Sequence, residues 1–376
     1  MNAQNIDNKP KIKKESKNKI RVEFERTPLK ERLKAKFLSL FFLKKVIWAV
    51  FRLVLLVGIS YIVLFPFFTK IAGSFMSPDD FIDVTVRLIP KNFSLDIYKA
   101  IWIEELYLEK FTNTLLLSLA AALVQTFICC FVAYGLAKFK FKGNKLVFMA
   151  VIFSLAIPHQ TLQLSLFMNF RYFDILGIGN FLNGGGITIF GHNFTNSFFE
   201  MIDIIPDTWE RFPDGAAGIS LTNTYWPLLI LSIGGLAFKN GLYIFMLRQF
   251  FSGVPDELEE SAYIDGSDVM RTFFTIILPL SVPMMITVFL FAFSWQWTDD
   301  FYTGLFFTQN SPIKTMKDLV GKIPSSLTTD YPGQNLYYSA IYGTSGLMII
   351  APLVVMYLFC QRFLVQGIER SGLTAD

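Results

Sequence analysis

Long apolar blocks separated by polar segments dominate this chain of 376 residues. Six blocks stand out, Val46–Thr69, Thr112–Ala137, Leu146–Phe170, Thr224–Leu247, Thr275–Trp297 and Tyr337–Phe363. Each is as long as the roughly 20 residues an α-helix needs to cross a ~30 Å hydrocarbon layer. Hydrophobic side chains occupy every face of the blocks rather than a single stripe, as helices bathed in lipid and in one another require. The pattern predicts an all-α integral membrane protein with six transmembrane helices over 46–363. A short polar tail over 364–376 follows. Pro158 predicts a kink in the third helix, because it lacks an N–H to donate, and Gly234-Gly235 marks a break in the fourth.

The segment ahead of the first block has two parts. Residues 1–27 are polar and charged and predict a disordered tail. From Pro28 to Lys45 the pattern becomes helical, with Leu33, Phe37, Leu40 and Phe41 on one face and Lys30, Lys34, Lys44 and Lys45 among them. This is an amphipathic interfacial helix whose cations sit near anionic lipid. A bilayer surface, not nucleic acid, is its expected partner. The basic stretch is too long for a cleavable signal peptide.

Composition agrees with a membrane protein: 53% of residues are hydrophobic, 41 are Phe, and mean hydropathy is +0.44. The net charge of +4 matters less than its distribution. Lys138, Lys140, Lys142 and Lys145 crowd the short connection after the second block, which places that connection in the cytoplasm. Both termini and the loop over 250–275 then fall on the cytoplasmic side, and the acidic segment 171–223 falls outside. The cell (cytoplasmic) membrane of a bacterium is the expected location.

Several chemistries are excluded. The three cysteines lie inside apolar blocks, Cys129 and Cys130 in the second and Cys360 in the sixth, and predict packing rather than a disulfide or metal framework. The two histidines, His159 and His192, have no Cys cluster near them in sequence. No phosphate-cradling glycine loop followed by Lys-Ser or Lys-Thr occurs, so any ATP hydrolysis belongs to another polypeptide. No nucleophile–base pair is visible. The chain is expected not to be an enzyme and to bind no cofactor or metal of its own.

The most informative polar segment runs from Pro255 to Pro283. Asp256, followed by Glu257, Glu259 and Glu260, predicts a helix start of capping-box type, with acids favoured by the helix dipole. Gly266 interrupts the run, and a second short helix is expected from Ser267 into Ile276. The spacing resembles the signature loop of the permease subunits of binding-protein-dependent ABC importers, which reads Glu-Ala-Ala, three residues, Gly, nine residues, Ile, one residue, Leu-Pro. The matching positions here are Glu260-Ser261-Ala262, Gly266, Ile276 and Leu278-Pro279, with Asp265 in place and Ser261 for the first Ala. The wording YIDG, then FF and ILPLS, is most similar to the carbohydrate branch, in particular the maltose-type second permease.

The likeness extends over most of 111–367. Asn113-Thr114-Leu115, the AYGLAKFKFKG exit of the second block, Ile157-Pro158 with Gln160, LRQFF at Leu247–Phe251 and WQWTDDFYTGLFF at Trp295–Phe307 all resemble the family pattern. Thr298 stands where the family usually has Asn. QRFLVQGI at Gln361–Ile368, including Gln366 and Gly367, resembles the tail that reaches the ATPase dimer in maltose-type transporters. The resemblance implies the type I importer permease fold and a heterodimer with a second homologous permease. It also implies two ATP-binding subunits, an extracellular solute-binding protein, and a sugar or oligosaccharide as cargo. Glu257, Glu259, Glu260, Ser261, Ala262, Asp265 and Gly266 are then the ATPase-coupling residues.

Polar groups within or at the ends of the blocks are candidates for the substrate path: His159, Gln160, Lys239, Trp295, Gln296, Trp297 and Asp299. Each has a plain alternative. Lys239 either faces water and cargo or snorkels. His159 and Gln160 either line the path or make interhelical hydrogen bonds. Trp295 and Trp297 either stack on a sugar or belong to an interfacial aromatic belt. The segment Arg171–Asn223 is far longer than the family's usual connection. Phe198, Phe199, Met201, Ile202, Ile204 and Ile205 predict a short helix in it, and its place outside predicts either docking of the binding protein or capping of the outer mouth of the path. Two rival functions stay open at this point: an ABC importer permease for a non-sugar solute, and a self-contained secondary transporter. The latter needs buried coupling carboxylates and inverted repeats, neither of which is visible.

Overall fold

The computed structural model describes residues 40–174, 187–189, 192–194, 219–237, 239–308, 311–328, 330 and 334–370. The tail 1–27, most of the interfacial helix and the helix expected around 198–205 lie outside these residues. Residues 1–67 and 68–376 form two units, described separately below.

The helices run in chain order as α1 Leu40–Gly73, α2 Asp96–Ile103, α3 Tyr107–Lys138, α4 Asn144–Ala156, α5 Gln163–Arg171, α6 Trp226–Ile233, α7 Asn240–Ser252, α8 Glu257–Ile264, α9 Val269–Thr272, α10 Leu278–Trp297, α11 Phe301–Phe306 and α12 Gln334–Arg370. Strands β1 Ile187–Ile189 and β2 His192–Phe194 pair antiparallel, with Thr188 opposite Asn193. Among the described residues, four continuous stretches are long and apolar enough to cross a membrane: Lys44–Gly73, Tyr107–Lys138, Val269–Trp297 and Gln334–Leu364. They coincide with the first, second, fifth and sixth predicted blocks. In the first unit, α1 is apolar from Val46 to Phe67 apart from Arg52 and Ser60.

The third and fourth blocks are broken. Asn144–Ala156 and His159–Arg171 meet at a 95° bend. Pro158 sits there in extended conformation at ψ 126°, followed by a tight turn over His159–Leu162. The fourth block divides into α6 and α7, with Gly235 at φ +70° and Lys239 at φ 65° between them. Backbone freed by a break inside an apolar layer must find partners within the protein. Here Gly234 N–H donates to Ile230 O, and the N–H groups of Leu236 and Ala237 both donate to Leu231 O.

The second unit packs around α3, which lies against α6, α7 and α10, while α10 also lies against α12. Its core is built from Cys129, Ala133, Tyr243, Leu247, Phe251, Met284 and Val288. Cys129 and Cys130 are buried free thiols, as their packing role predicts. A smaller cluster, Leu117, Phe170, Ile219, Leu228 and Phe306, closes the base of the long insert. Phe173 and Ile219 exchange backbone hydrogen bonds of 2.9 and 3.1 Å, a paired neck that holds the two ends of the insert side by side.

The Asn113-Thr114 pair is a fastening. Asn113 Nδ2 donates to Lys314 O at 2.9 Å, Tyr225 Oη donates to Asn113 Oδ1 at 3.3 Å, and Met316 N–H donates to Thr114 Oγ1 at 2.8 Å. One turn of α3 thereby holds both the entry to α6 and the loop after α11.

Gly241 permits the closest approach between the two broken blocks. A Cβ there would lie 2.9 Å from Val151 O and 3.0 Å from Leu155. Gly241→Val is therefore expected to cost about 1–3 kcal/mol by overpacking and to lower the thermal midpoint of the purified protein. Gly346→Ala, where the space is open, should leave the midpoint unchanged or slightly raised. Equal midpoints for Gly241→Val and wild type would show that the approach is dispensable.

Candidate functional site

Two sites emerge, one at each place where polar residues interrupt the bundle. The first is the loop between α7 and α10. α8 is one short helix, closed by Gly266 at φ +84°. Only Gly adopts that backbone without a Cβ penalty, so the glycine punctuation is as the spacing predicts. The capping is different. Asp256 makes no side-chain cap to α8, because Lys138 takes its carboxylate at 2.6 Å and also donates to Val254 O at 2.7 Å. The real side-chain cap lies further on, where Asp268 Oδ1 accepts from Arg271 N–H at 2.8 Å. The Lys138 hydrogen bond holds the exposed Asp256 carboxyl below its ordinary 3.8.

Nor is there a free-standing second helix from Ser267 to Ile276. α9 passes through one wide π turn, Phe273–Ile277, straight into α10. Phe273 and Ile277 are fully buried. Phe273 packs on Tyr134 at 4.7 Å and on Phe131 at 5.2 Å between ring centroids. The loop is thus built onto the fifth span rather than hung from it.

The acids divide by exposure. Glu257 and Glu260 face outward with Asp265, and the Ser261 hydroxyl donates to Leu258 O at 3.1 Å. Glu259 and Ala262 face inward and are buried, with Glu259 beside the Tyr134 hydroxyl, although the two do not close a full hydrogen bond. Glu259 is a foot of the helix, not part of its outer face. The outer face also carries Leu258, Tyr263, Ile264, Val269 and Met270, with Ile264 86% exposed. These apolar residues were not singled out from the sequence. Their signal was present, because a short helix followed by another short apolar turn has no core of its own to enter.

The second site is a cavity of about 170 Å3 where the two broken blocks cross. It is lined by His159, Lys239, Asn240 and Tyr302 among apolar side chains including Leu155, Leu162 and Leu236. His159 Nδ1 lies 3.1 Å from Tyr302 Oη. The Lys239 ammonium stands 5.2 Å from the centre of the Trp295 ring, a cation–π contact. A lysine at the centre of a span costs about 2.5–3.5 kcal/mol on insertion scales; Lys239 is half-buried, and the ring and the polar cavity offset such a cost. Of the path candidates, the structure brings His159 and Lys239 together, with Trp295 beside them. It sets the others apart. Gln160 is exposed, over a separate shallow cleft. Trp297 is core, donating its indole N–H to Ile349 O at 2.9 Å and packing on Phe293 and Phe111. Gln296 is buried in the bundle. Asp299 accepts from the N–H groups of Tyr302 and Thr303 at the start of α11. Asn240 and Tyr302 are cavity residues that the sequence reading missed. Gln366 and Gly367 lie on α12, which continues unbroken to Arg370.

The chain that carries this loop and cavity matches a known family. Residues 125–370 match the family described as the binding-protein-dependent transport system inner membrane component. The chain belongs to this family. The inner membrane ABC transporter permease protein YcjP of Escherichia coli is 24% identical, over 83% of this chain and 91% of its own. The galactooligosaccharides transport system permease protein GanQ of Bacillus subtilis is also 24% identical, over 88% and 96%. The arabinooligosaccharides transport system permease protein AraQ of Halalkalibacterium halodurans is 26% identical, over 84% and 92%. In fold, the chain is similar to one from the crystal structure of a bacterial ABC transporter involved in the import of the acidic polysaccharide alginate. That match has a TM-score of 0.59 and 18% identity, and it covers 85% of this chain and 97% of the other.

The Lys138 fastening makes a prediction for the loop of this transport component. Asp256 is charged above its ordinary pKa and, being depressed in the fold, stays charged somewhat below it. Its contribution is therefore fully present from neutral pH down to about 4 and is lost only as pH falls through the depressed value. Hydrogen exchange of the 254–266 amides should be protected equally at pH 5 and pH 8 after correction for intrinsic rates. Lys138→Gln should speed it severalfold at both. Exchange that is unaffected by Lys138→Gln would mean that the loop holds itself.

Proposed function

We propose that this chain is one of two homologous permease subunits of an ATP-driven importer for a sugar or oligosaccharide. One of two ATP-binding subunits docks on its cytoplasmic loop, the other on the second permease, and a solute-binding protein delivers the cargo from outside. The observation that carries the reading is α8: a short helix, rigidly footed by Ala262 and Glu259, presenting Ile264 with Glu257 and Glu260 to a partner. Apolar anchors ringed by charge are how a helix seats in a groove on another protein. The sugar assignment is supported by the relatives GanQ and AraQ and by the alginate importer.

In this reading six spans cross the membrane, the third and fourth as the broken pairs α4–α5 and α6–α7, and both termini are cytoplasmic. Lys138 binds the base of the coupling loop, so the basic connection 138–145 and that loop share one side, in keeping with the charge rule. ATP draws the two ATP-binding subunits together, and each α8 moves with its own. Because α8–α9 feed directly into α10, the span tilts with the loop and the bundle opens outward. Switching such a gate from 1:99 to 99:1 takes about 5.5 kcal/mol of differential binding, shared between ATP and the loaded binding protein. The chain itself makes and breaks no bonds. The insert 171–223, outside and joined at its paired neck, is placed to meet the binding protein.

Three outcomes test the reading in proteoliposomes that hold the whole importer. ATP-dependent uptake of a saccharide should appear only with binding protein present; no uptake of any saccharide would refute the sugar assignment. Gly266→Val should insert normally yet lose most uptake, since a branched residue is strained at φ +84°, while Glu260→Lys should weaken retention of the ATP-binding subunits; normal transport and assembly in both variants would sink the coupling role of α8. Replacing 175–218 by a short Gly/Ser linker across the Phe173–Ile219 neck should raise the half-saturating concentration of loaded binding protein without releasing the ATP-binding subunits. Unchanged affinity there would make the insert dispensable.

A further inference from the structure

The inner face of α8 carries a group that packing alone does not account for. Glu259 is 8% exposed, on the same buried face as the small Ala262 that also seats the helix. A buried carboxylate is costly unless it is hydrogen-bonded, and an apolar side chain would fill the same foot without that cost. Its neighbour is the Tyr134 hydroxyl of α3, also buried. Neither Glu259 Oε1 nor Tyr134 Oη has a hydrogen-bond partner among the described residues. An acceptor and a donor thus lie side by side out of water, and one hydrogen bond between them would relieve both.

The Tyr134 ring cannot travel to make that bond. It packs on Phe273 of the π turn at 4.7 Å between centroids, and edge-on against Phe251 of α7 and Phe139 at the exit of α3, both at 5.6 Å. A ring enclosed on those sides has little freedom to swing, so closure falls to α8. Tyr263 stands beside the same hydroxyl, but it is 40% exposed and turns to water, which the buried Glu259 Oε1 cannot do. One side chain of α3 therefore meets α7, α8 and the entry to α10. The outer face of α8, with Ile264, Glu257 and Glu260, is where the ATP-binding subunit seats in the reading above. A load on that face presses Glu259 toward Tyr134.

We propose that Glu259 and Tyr134 are a positioning pair whose hydrogen bond closes when an ATP-binding subunit seats on α8, registering the coupling loop against α3. The inference rests on the importer reading and deepens its coupling step. Tyr134 Oη donates, Glu259 Oε1 accepts, and no proton changes hands. Neither residue touches cargo or nucleotide. Ala262 and the aromatic rings make the foot stiff. The bond makes it responsive, because a partner shifts a two-state element only through contacts that differ between the states.

Hydrogen exchange of the amides over 259–265, in the whole importer in lipid nanodiscs, tests the pair. Retention of the ATP-binding subunits and the thermal midpoint are measured alongside. Tyr134→Phe keeps the ring in its enclosure and should speed exchange about fivefold or more, as should Glu259→Leu. Glu259→Gln, whose amide oxygen still accepts, should stay within about twofold of wild type. The double variant Tyr134→Phe/Glu259→Leu should be no faster than the faster single variant, because both remove one bond. Retention and midpoint should hardly move in Tyr134→Phe. Should Glu259→Leu fail to assemble, Glu259→Gln combined with Tyr134→Phe serves in its place and should match Tyr134→Phe alone. In a Glu260→Lys importer washed free of its ATP-binding subunits, adding Tyr134→Phe should change nothing. Wild-type exchange in Tyr134→Phe overturns the pair, and so do additive effects in the double variant. A midpoint that falls in step with the exchange, or equal acceleration with and without the ATP-binding subunits, overturns it as well. Each of these leaves the importer reading standing, which the uptake and assembly measurements above decide separately.

Discussion

Backbone broken inside an apolar layer has no water to turn to, and that constraint organises this molecule. Pro158 removes one donor in the third block, and the Gly234–Lys239 stretch unwinds the fourth. The freed groups are met locally, with Leu231 O accepting from both Leu236 and Ala237. What remains after those bonds close is a polar pocket in which His159, Lys239, Asn240 and Tyr302 converge. Gly241 makes the pocket small, since any side chain there would push α7 off Val151. The breaks that weaken two helices are thus also what places polar chemistry inside a hydrophobic bundle.

At the other site the constraint is mechanical. A loop that receives force from a partner must be stiff or the force is lost. α8 is pinned at its start by Lys138 and at its inner face by Ala262 and Glu259. Its exit is a π turn, a feature that often marks a hinge. Here the turn is fully buried at Phe273 and Ile277 and wedged between the rings of Phe131 and Tyr134. Aromatic packing from α3 on its inner face resists bending there, while Phe274 and Thr275 face outward. It reads as a rigid coupling between loop and span.

Much of this was legible from residue order, and the parts that were not share a cause. Four continuous spans follow from apolar length alone, and Gly266 from spacing. Pro158 announced a kink, but a 95° bend depends on where α5 packs afterwards. Nothing local in Lys239 says that it adopts a left-handed backbone or lies over Trp295. Asp256 looked like a cap until Lys138, 118 positions away, claimed its carboxylate. Trp295 and Trp297 are two residues apart and chemically identical, yet one is half exposed by the cavity and the other donates into the core at Ile349. In each case a partner distant in sequence decided the outcome.

The claim on which the rest turns is that loop and fifth span move as one body. Spin-label pairs in the reconstituted importer measure it directly, one label at position 257 on α8 and the other at 295 near the outer end of α10. Their distance should stay constant between nucleotide-free and ATP-bound states. The distance between the 257 position and its counterpart on the second permease should shorten. A 257–295 distance that changes by several ångströms while the outer end of α10 stays still would make the π turn a hinge and contradict the account.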